Sequence, residues 1–168
     1  MLSFPLAVLD FEASSLGDER SYPIEAGLAI AASADAQIQV WSSLIKPTTE
    51  WSMHGEWSTK SARVHGITPR ELETGLPPAE IAAELNQRLS GIPLVWCDGG
   101  EYDSHWLRRL FDGAWMRPTF RLCDLSLAFV LDRRRANRYA EAIGDAILAH
   151  RAAADAKRIC SALIASGV

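Results

Sequence analysis

Asp10 and Glu12 stand at the end of an apolar run, "LAVLDFEASS", residues 6 to 15. Residues two apart on a strand share a face, so the two carboxylates extend the line of Leu6 and Val8, while Ala7, Leu9 and Phe11 point the other way. Asp103 falls on the stripe of Trp106, Leu107, Leu110 and Phe111, at helical spacings of three, four, seven and eight. Asp155 aligns in the same manner with Ile159, Ala162 and Leu163. Four acids therefore sit on apolar faces of three separate elements. Taken singly, each is more simply a capping or ion-paired residue, and Asp103 in particular suits an early helical turn, where the helix dipole favours an acid. Taken together they would repel one another in a medium that already penalises unpaired charge. Hard divalent cations such as Mg²⁺ or Mn²⁺ are the usual partners of oxygen-only clusters. Two such ions about 4 Å apart can activate a water and stabilise a leaving oxygen in phosphodiester hydrolysis. His150 lies five residues before Asp155, more than one helical turn away, so a non-helical His150 could swing toward whatever Asp155 binds. A lone histidine is more often a surface or cap residue, but an imidazole beside such a cluster could take a proton from an attacking water near neutral pH.

The elements that must position these groups follow from periodicity and punctuation. Leu6 to Glu12, Ile24 to Ala31 and Gln37 to Ile45 are rich in Val, Ile, Leu and Trp and are separated by polar, Gly-containing turns, which predicts a three-strand meander. A loop then leads to a helix from about Pro78 to Leu89, with proline at its start and Gly91 past its end. "IPLVWCD" reads as a fourth strand, "EYDSHWLRRLFDG" as a helix closed by Gly113, and "TFRLCDL" as a fifth strand. "ANRYAEAIGDAILAH" and "RAAADAKRICSALIASG" read as terminal helical segments. Both faces of the first strand are expected to be buried, in a layered mixed α/β sheet.

Composition sets the outer bounds. At 168 residues, 48% hydrophobic and 23% charged, the chain suits one domain, residues 1–168, around a single core. Its first residues are too short and uncharged for a signal peptide and no apolar stretch approaches a membrane span, so a cytoplasmic location without membrane attachment is expected. Cys97, Cys123 and Cys160 lie far apart without a C-x-x-C pair, which suggests buried free thiols. The net charge of −4 argues against holding nucleic acid by bulk positive charge. Nine arginines between Ser104 and Arg151, against five acids, allow a local track for a polyanion, with "DRRRANR" its most exposed part, although a solvated surface is the simpler account. Trp96, Trp106 and Trp115 could offer stacking surfaces, though core roles are commoner. Trp51 and Trp57 fall in a predicted loop, where exposed aromatics would suggest binding.

The ordered set Asp10-x-Glu12, Tyr102-Asp103 and His150-x-Ala152-x-x-Asp155 resembles the three motifs of the DEDDh 3′ to 5′ exonucleases, the DnaQ-like family of the proofreading epsilon subunit of bacterial DNA polymerase III. "IEAGLAI", "VHGITPREL" and "LVWCDGGEYDSHWLRRLF" resemble its intervening segments, so the resemblance spans nearly the whole chain. It implies a ribonuclease H-like fold, a mixed five-strand sheet with flanking helices. It also implies that Asp10, Glu12, Asp103 and Asp155 bind two Mg²⁺ or Mn²⁺ ions, that His150 is the general base, and that the product is a 5′-mononucleotide. Ala13, Ser14, Leu16, His65 and Tyr102 fall where family members contact the terminal nucleotide, Leu16 by packing on its base. Glu25 matches a recurrent glutamate and is read as structural.

Two positions depart from the family pattern. Ala13-Ser14-Ser15-Leu16 replaces the common Thr-Thr-Gly-Leu, removing the first hydroxyl, and Cys97-Asp98 replaces a frequent His-Asn, adding a negative charge near the phosphate path. The substrate so implied is a single-stranded nucleic acid. A non-catalytic binding or adaptor module on the same fold is disfavoured because all four acids and the histidine are present; hydrolysis of a small phosphodiester would use the same site. The chain ends soon after the last motif, so a polymerase partner is not indicated, and exposed apolar residues on the terminal helix would suit a homodimer.

Overall fold

A computed structural model describes residues 3–16, 19–144 and 150–167. Strand β1 (Leu6–Ala13) pairs antiparallel with β2 (Pro23–Ala31), which pairs antiparallel with β3 (Gln39–Leu44). Strand β4 (Leu94–Cys97) joins the other side of β1 in parallel, and β5 (Arg121–Asp124) follows it, giving the sheet order β3-β2-β1-β4-β5. The predicted meander and mixed five-strand sheet are therefore present, with slightly shorter strands at β3, β4 and β5.

Alternation along β1 divides the core in two. Ala7, Leu9, Phe11 and Ala13 face helices α4 (Pro78–Arg88) and α5 (Glu101–Gly113), which contribute Ile81, Leu85, Trp106, Leu110 and Phe111. Leu6 and Val8 face the last helix, here numbered α8 (Ala152–Ser166), through Ala156, Ile159, Cys160 and Leu163. Asp10 and Glu12 continue the Leu6–Val8 face toward the end of β1, where they are half-buried rather than exposed.

The segment predicted as loop between β3 and α4 is instead three short helices, α1 (Thr49–His54), α2 (Thr59–His65) and α3 (Pro69–Leu72). Each begins on a side chain that accepts from the first turn: Thr48 from Trp51 N–H, Ser58 from Ser61 N–H, and Thr68 from Glu71 N–H in a reciprocal capping box. Helix α1 turns Trp51 inward, where it is 2% exposed and stacks on Tyr22 at 5.7 Å. Trp57 is partly buried, edge-on to His65. Neither is the exposed aromatic that a loop would have made it.

After β5 come α6 (Ser126–Phe129) and α7 (Arg133–Ile143). "DRRRANR" opens α7, with Asp132 as its cap; Arg133 and Arg134 are exposed, while Arg138 donates to the Ser166 carbonyl at 2.8 Å. The rest of the predicted terminal helical segment, residues 145–149, lies outside the described residues. Helix α8 turns its apolar face inward; large exposed apolar side chains lie instead at Leu127, Val130 and Leu131. Cys97 and Cys160 are buried free thiols, whereas Cys123 is only half-buried. Among the described residues no helix is long and apolar enough to cross a membrane.

Candidate active site

The end of β1 is where the sheet brings its carboxylates together. Asp10 stands opposite Gly27 of β2, and Glu12 opposite Glu25. Gly27 is required there: a Cβ on it would meet the Ala152 carbonyl carbon within contact distance of overlap, so only hydrogen lets the start of α8 lie against β2. Glu25, 2% exposed, holds that start in place. Its carboxylate accepts from Arg151 Nε at 2.9 Å, Arg151 Nη2 at 2.8 Å and the Ala152 N–H at 3.1 Å. One helical turn on, Asp155 is delivered to Asp10 and Glu12.

From the other side, α5 begins at Gly100, and Asp103 in its first turn accepts the Gly99 N–H at 3.0 Å. The capping role therefore accounts for one hydrogen bond of Asp103, and the Cys97 thiol supplies another partner. Side-chain oxygens of Asp10, Glu12 and Asp155 all lie within 4.8 Å of one another, and so do those of Asp10, Asp98 and Asp103. Two triads share Asp10. The acids predicted from the sequence are thus brought together, and a fifth, Asp98, joins them from just past β4.

The cluster is electrostatically uncomfortable. Burial, then Asp103, Asp98, Glu12 and Asp155, hold Asp10 well above the usual carboxylate range. Burial and Asp155 push Glu12 up to about 8, and burial with Asp98 pushes Asp103 up to about 7. Burial likewise raises Asp98. Arg151 offsets part of this at Glu12, but its guanidinium is bound to Glu25. Oxygen-only donors in two overlapping groups of three, with charge left uncompensated, fit hard divalent cations.

His150 precedes α8 with φ of 46°, a left-handed conformation uncommon for a residue with a side chain. It lines a pocket of about 360 Å³ together with Glu12, Ala13, Leu16, His65 and Trp106. Leu16, which also lines it, is 70% exposed, a large apolar side chain left open to solvent. His65 is 5% exposed; its Nδ1 accepts the Ile67 N–H at 3.0 Å, which puts the ring proton on Nε2, and Nε2 is buried without a partner among the described residues. Burial lowers the pKa of His65, which favours the neutral ring.

Two predicted contacts lie elsewhere. Ser14 is fully buried behind the pocket, its hydroxyl accepting the Tyr22 N–H at 3.0 Å and its carbonyl the Ser58 N–H at 2.8 Å. Ser15 lines the pocket in its stead, beside Glu56, Ser58 and Lys60. Tyr102 is half exposed and stacks on Trp106 at 5.9 Å, outside the lining itself. Trp96 and Trp106 are buried core residues.

No family model matches the chain, and no curated protein matches it in sequence. Solved structures do. Exonuclease I of E. coli in complex with a dA16 oligonucleotide is 16% identical with a TM-score of 0.64, over 91% of this chain and 38% of that one. A 3′-exonuclease that recognises the 3′ end of the histone mRNA stem-loop is 14% identical with a TM-score of 0.71, over 95% of this chain and 79% of that one. Cell-death related nuclease 4 is 16% identical with a TM-score of 0.67, over 95% and 62%. This chain spans well under half the length of Exonuclease I. At such identities the likeness establishes a shared fold, the α/β ribonuclease H-like sheet with flanking helices.

Proposed function

We propose that the chain is a DEDDh-type 3′ to 5′ exonuclease, dependent on two Mg²⁺ or Mn²⁺ ions, that hydrolyses single-stranded DNA or RNA to 5′-mononucleotides, with residues 1–168 forming one exonuclease domain. The observation that carries this reading is the convergence of carboxylates from β1, α5 and α8 on Asp10, with a histidine-lined pocket opening beside them. Asp10, Glu12, Asp103 and Asp155 would hold the ions, with Asp98 as a further oxygen donor. The bound ions would supply the positive charge that offsets the cluster's repulsion and the charge developing at a scissile phosphate. Nucleases are what the fold neighbours are, which supports the reaction class.

The chain's own residues divide the remaining work. His150, the general base, receives the proton of the attacking water; its place on the Arg151–Ala152 anchor fixes its distance from the Asp155 turn. Leu16 offers its exposed side chain to the terminal base, and the unpartnered Nε2–H of neutral His65 donates to an oxygen of the terminal nucleotide. Ala13 contributes backbone at the pocket wall, Ser14 holds that wall to the Tyr22 and Ser58 backbone, and Tyr102 closes the rim by stacking on Trp106.

Digestion of 5′-labelled single-stranded DNA and RNA oligomers tests the proposal. A ladder shortening from the 3′ end with Mg²⁺ or Mn²⁺, and no cleavage in EDTA, is expected; intact oligomers from folded protein under all conditions would overturn it.

A further inference from the structure

Helix α5 ends in an arrangement normally written with glycine. The Met116 N–H bonds the Phe111 carbonyl at 3.0 Å and the Trp115 N–H bonds the Asp112 carbonyl at 3.1 Å, the two bonds of a Schellman cap. The residue between them must take left-handed backbone, and that residue is Trp115, at φ of 54°. A bulky side chain is a genuine outlier in this conformation. Nothing in the core compensates, because Trp115 is 95% exposed, whereas the other tryptophans of the two sheet faces, Trp96 and Trp106, are 5% exposed. A left-handed backbone that presents a bare indole to solvent is an outlier of the kind from which a functional hypothesis starts.

The surroundings indicate which function. Trp115 lines an open cavity of about 790 Å³ with Arg109 and Arg117, and Arg117 is exposed. Arg109 lies over the Trp51 ring at 5.7 Å, meets Glu50 at 3.7 Å, and among the described residues leaves its Nε buried without a partner. Glu50 and Asp112 share the cavity, so it is not a purely basic surface. An aromatic face beside guanidinium groups is the pairing that stacks a base and holds its phosphates. Tyr102, His105 and Arg109 follow at helical spacing along α5, running from the turn that carries Asp103 to Trp115, about 18 Å away along the axis.

We infer that Trp115 is a base-stacking platform for the single strand upstream of its 3′ terminus, with Arg109 and Arg117 on the backbone, so that the natural substrate is a strand of several nucleotides rather than a dinucleotide. The inference rests on the exonuclease reading for its direction, but its test does not need cleavage. Binding of 5′-fluorescent oligomers of about 20 nucleotides and of a trinucleotide is measured by anisotropy in EDTA, with melting temperature measured alongside. Trp115→Gly is expected to weaken the long oligomer about tenfold and leave the trinucleotide unchanged, while raising the melting temperature by about 2 °C through relief of the left-handed strain. Trp115→Tyr is expected to restore most of the affinity. Equal affinity of Trp115→Gly and wild type for the long oligomer, or no binding by the wild type, would overturn the platform. Trp115-dependent binding without cleavage under any condition would remove the exonuclease reading and leave the platform standing.

Discussion

The two halves of the candidate site are built from different materials. The carboxylate half sits on regular elements: Asp10 and Glu12 on β1, Asp103 on the first turn of α5, Asp155 on that of α8. The pocket half sits on the turn after β1, on the end of α2 and on the non-helical residue before α8, which contribute Leu16, His65 and His150. Sheet pairing and two packed helices fix the first half and hold its carboxylates against one another. Local caps and a few hydrogen bonds hold the second, the more adaptable half at Leu16, which is 70% exposed, while His65 is buried and His150 adjoins the Arg151–Glu25 anchor. Rigidity goes with the charges that are held against one another, and adaptability with the mouth of the pocket.

Substitutions sharpen that contrast, beginning with the rigid half. Asp10 is common to both triads, so Asp10→Asn should lower kcat by at least about 10³-fold while raising the melting temperature of the cation-free protein, since it removes repulsion together with a ligand. Unchanged steady-state turnover in that variant would break the assignment of the cluster as catalytic. In the adaptable half, His150→Gln should cost about 10²-fold in kcat and leave the cation-induced rise in melting temperature intact, separating proton transfer from ion binding. Between the halves stands Glu25, which faces Glu12 across the sheet and anchors Arg151 and Ala152 at the start of α8. Glu25→Gln should lower kcat about tenfold with KM little changed, and Glu25→Asp should recover part of the loss. The smallest effect is expected at the mouth: Leu16→Ala should raise KM about fivefold at constant kcat. A kcat loss there instead would mean that Leu16 orders the site and does more than bind.

The same division explains what could be read from the sequence. Asp103 and Asp155 were legible because a long amphipathic helix places every residue relative to its apolar stripe, and Asp10 and Glu12 because β1 has no polar face on which they could be ordinary. Asp98 was visible as a charge but not as a partner of Asp10, because an aspartate after a strand is common turn chemistry and its position depends on parallel pairing of β4 with β1. Trp51 was misplaced because a helix of one or two turns has too little length for periodicity. Its signal lay in the caps, Thr48, Ser58 and the Thr68–Glu71 box, each a recognisable start. Ser14 and Ser15 exchange roles for a similar reason: which serine of the pair faces the pocket is set by the bulge between Glu12 and Ala13.

The central claim, that the acids converge in order to hold cations, is tested most directly by melting temperature as a function of pH with and without divalent ions. Folding raises Glu12 from 4.5 to about 8 and Asp103 from 3.8 to about 7, so the folded chain binds these protons more tightly than the unfolded one. Their contribution is fully present below the ordinary carboxylate values and is lost as pH rises through about 7 to 8. In EDTA the melting temperature should therefore fall as pH rises from the ordinary carboxylate values to about 8, and level off above. With Mg²⁺ or Mn²⁺ the fall should be reversed, because ions bind the deprotonated carboxylates, and the gain should grow with pH and vanish in Asp10→Asn. A folded chain whose melting temperature neither ion changes at pH about 8 would contradict the account.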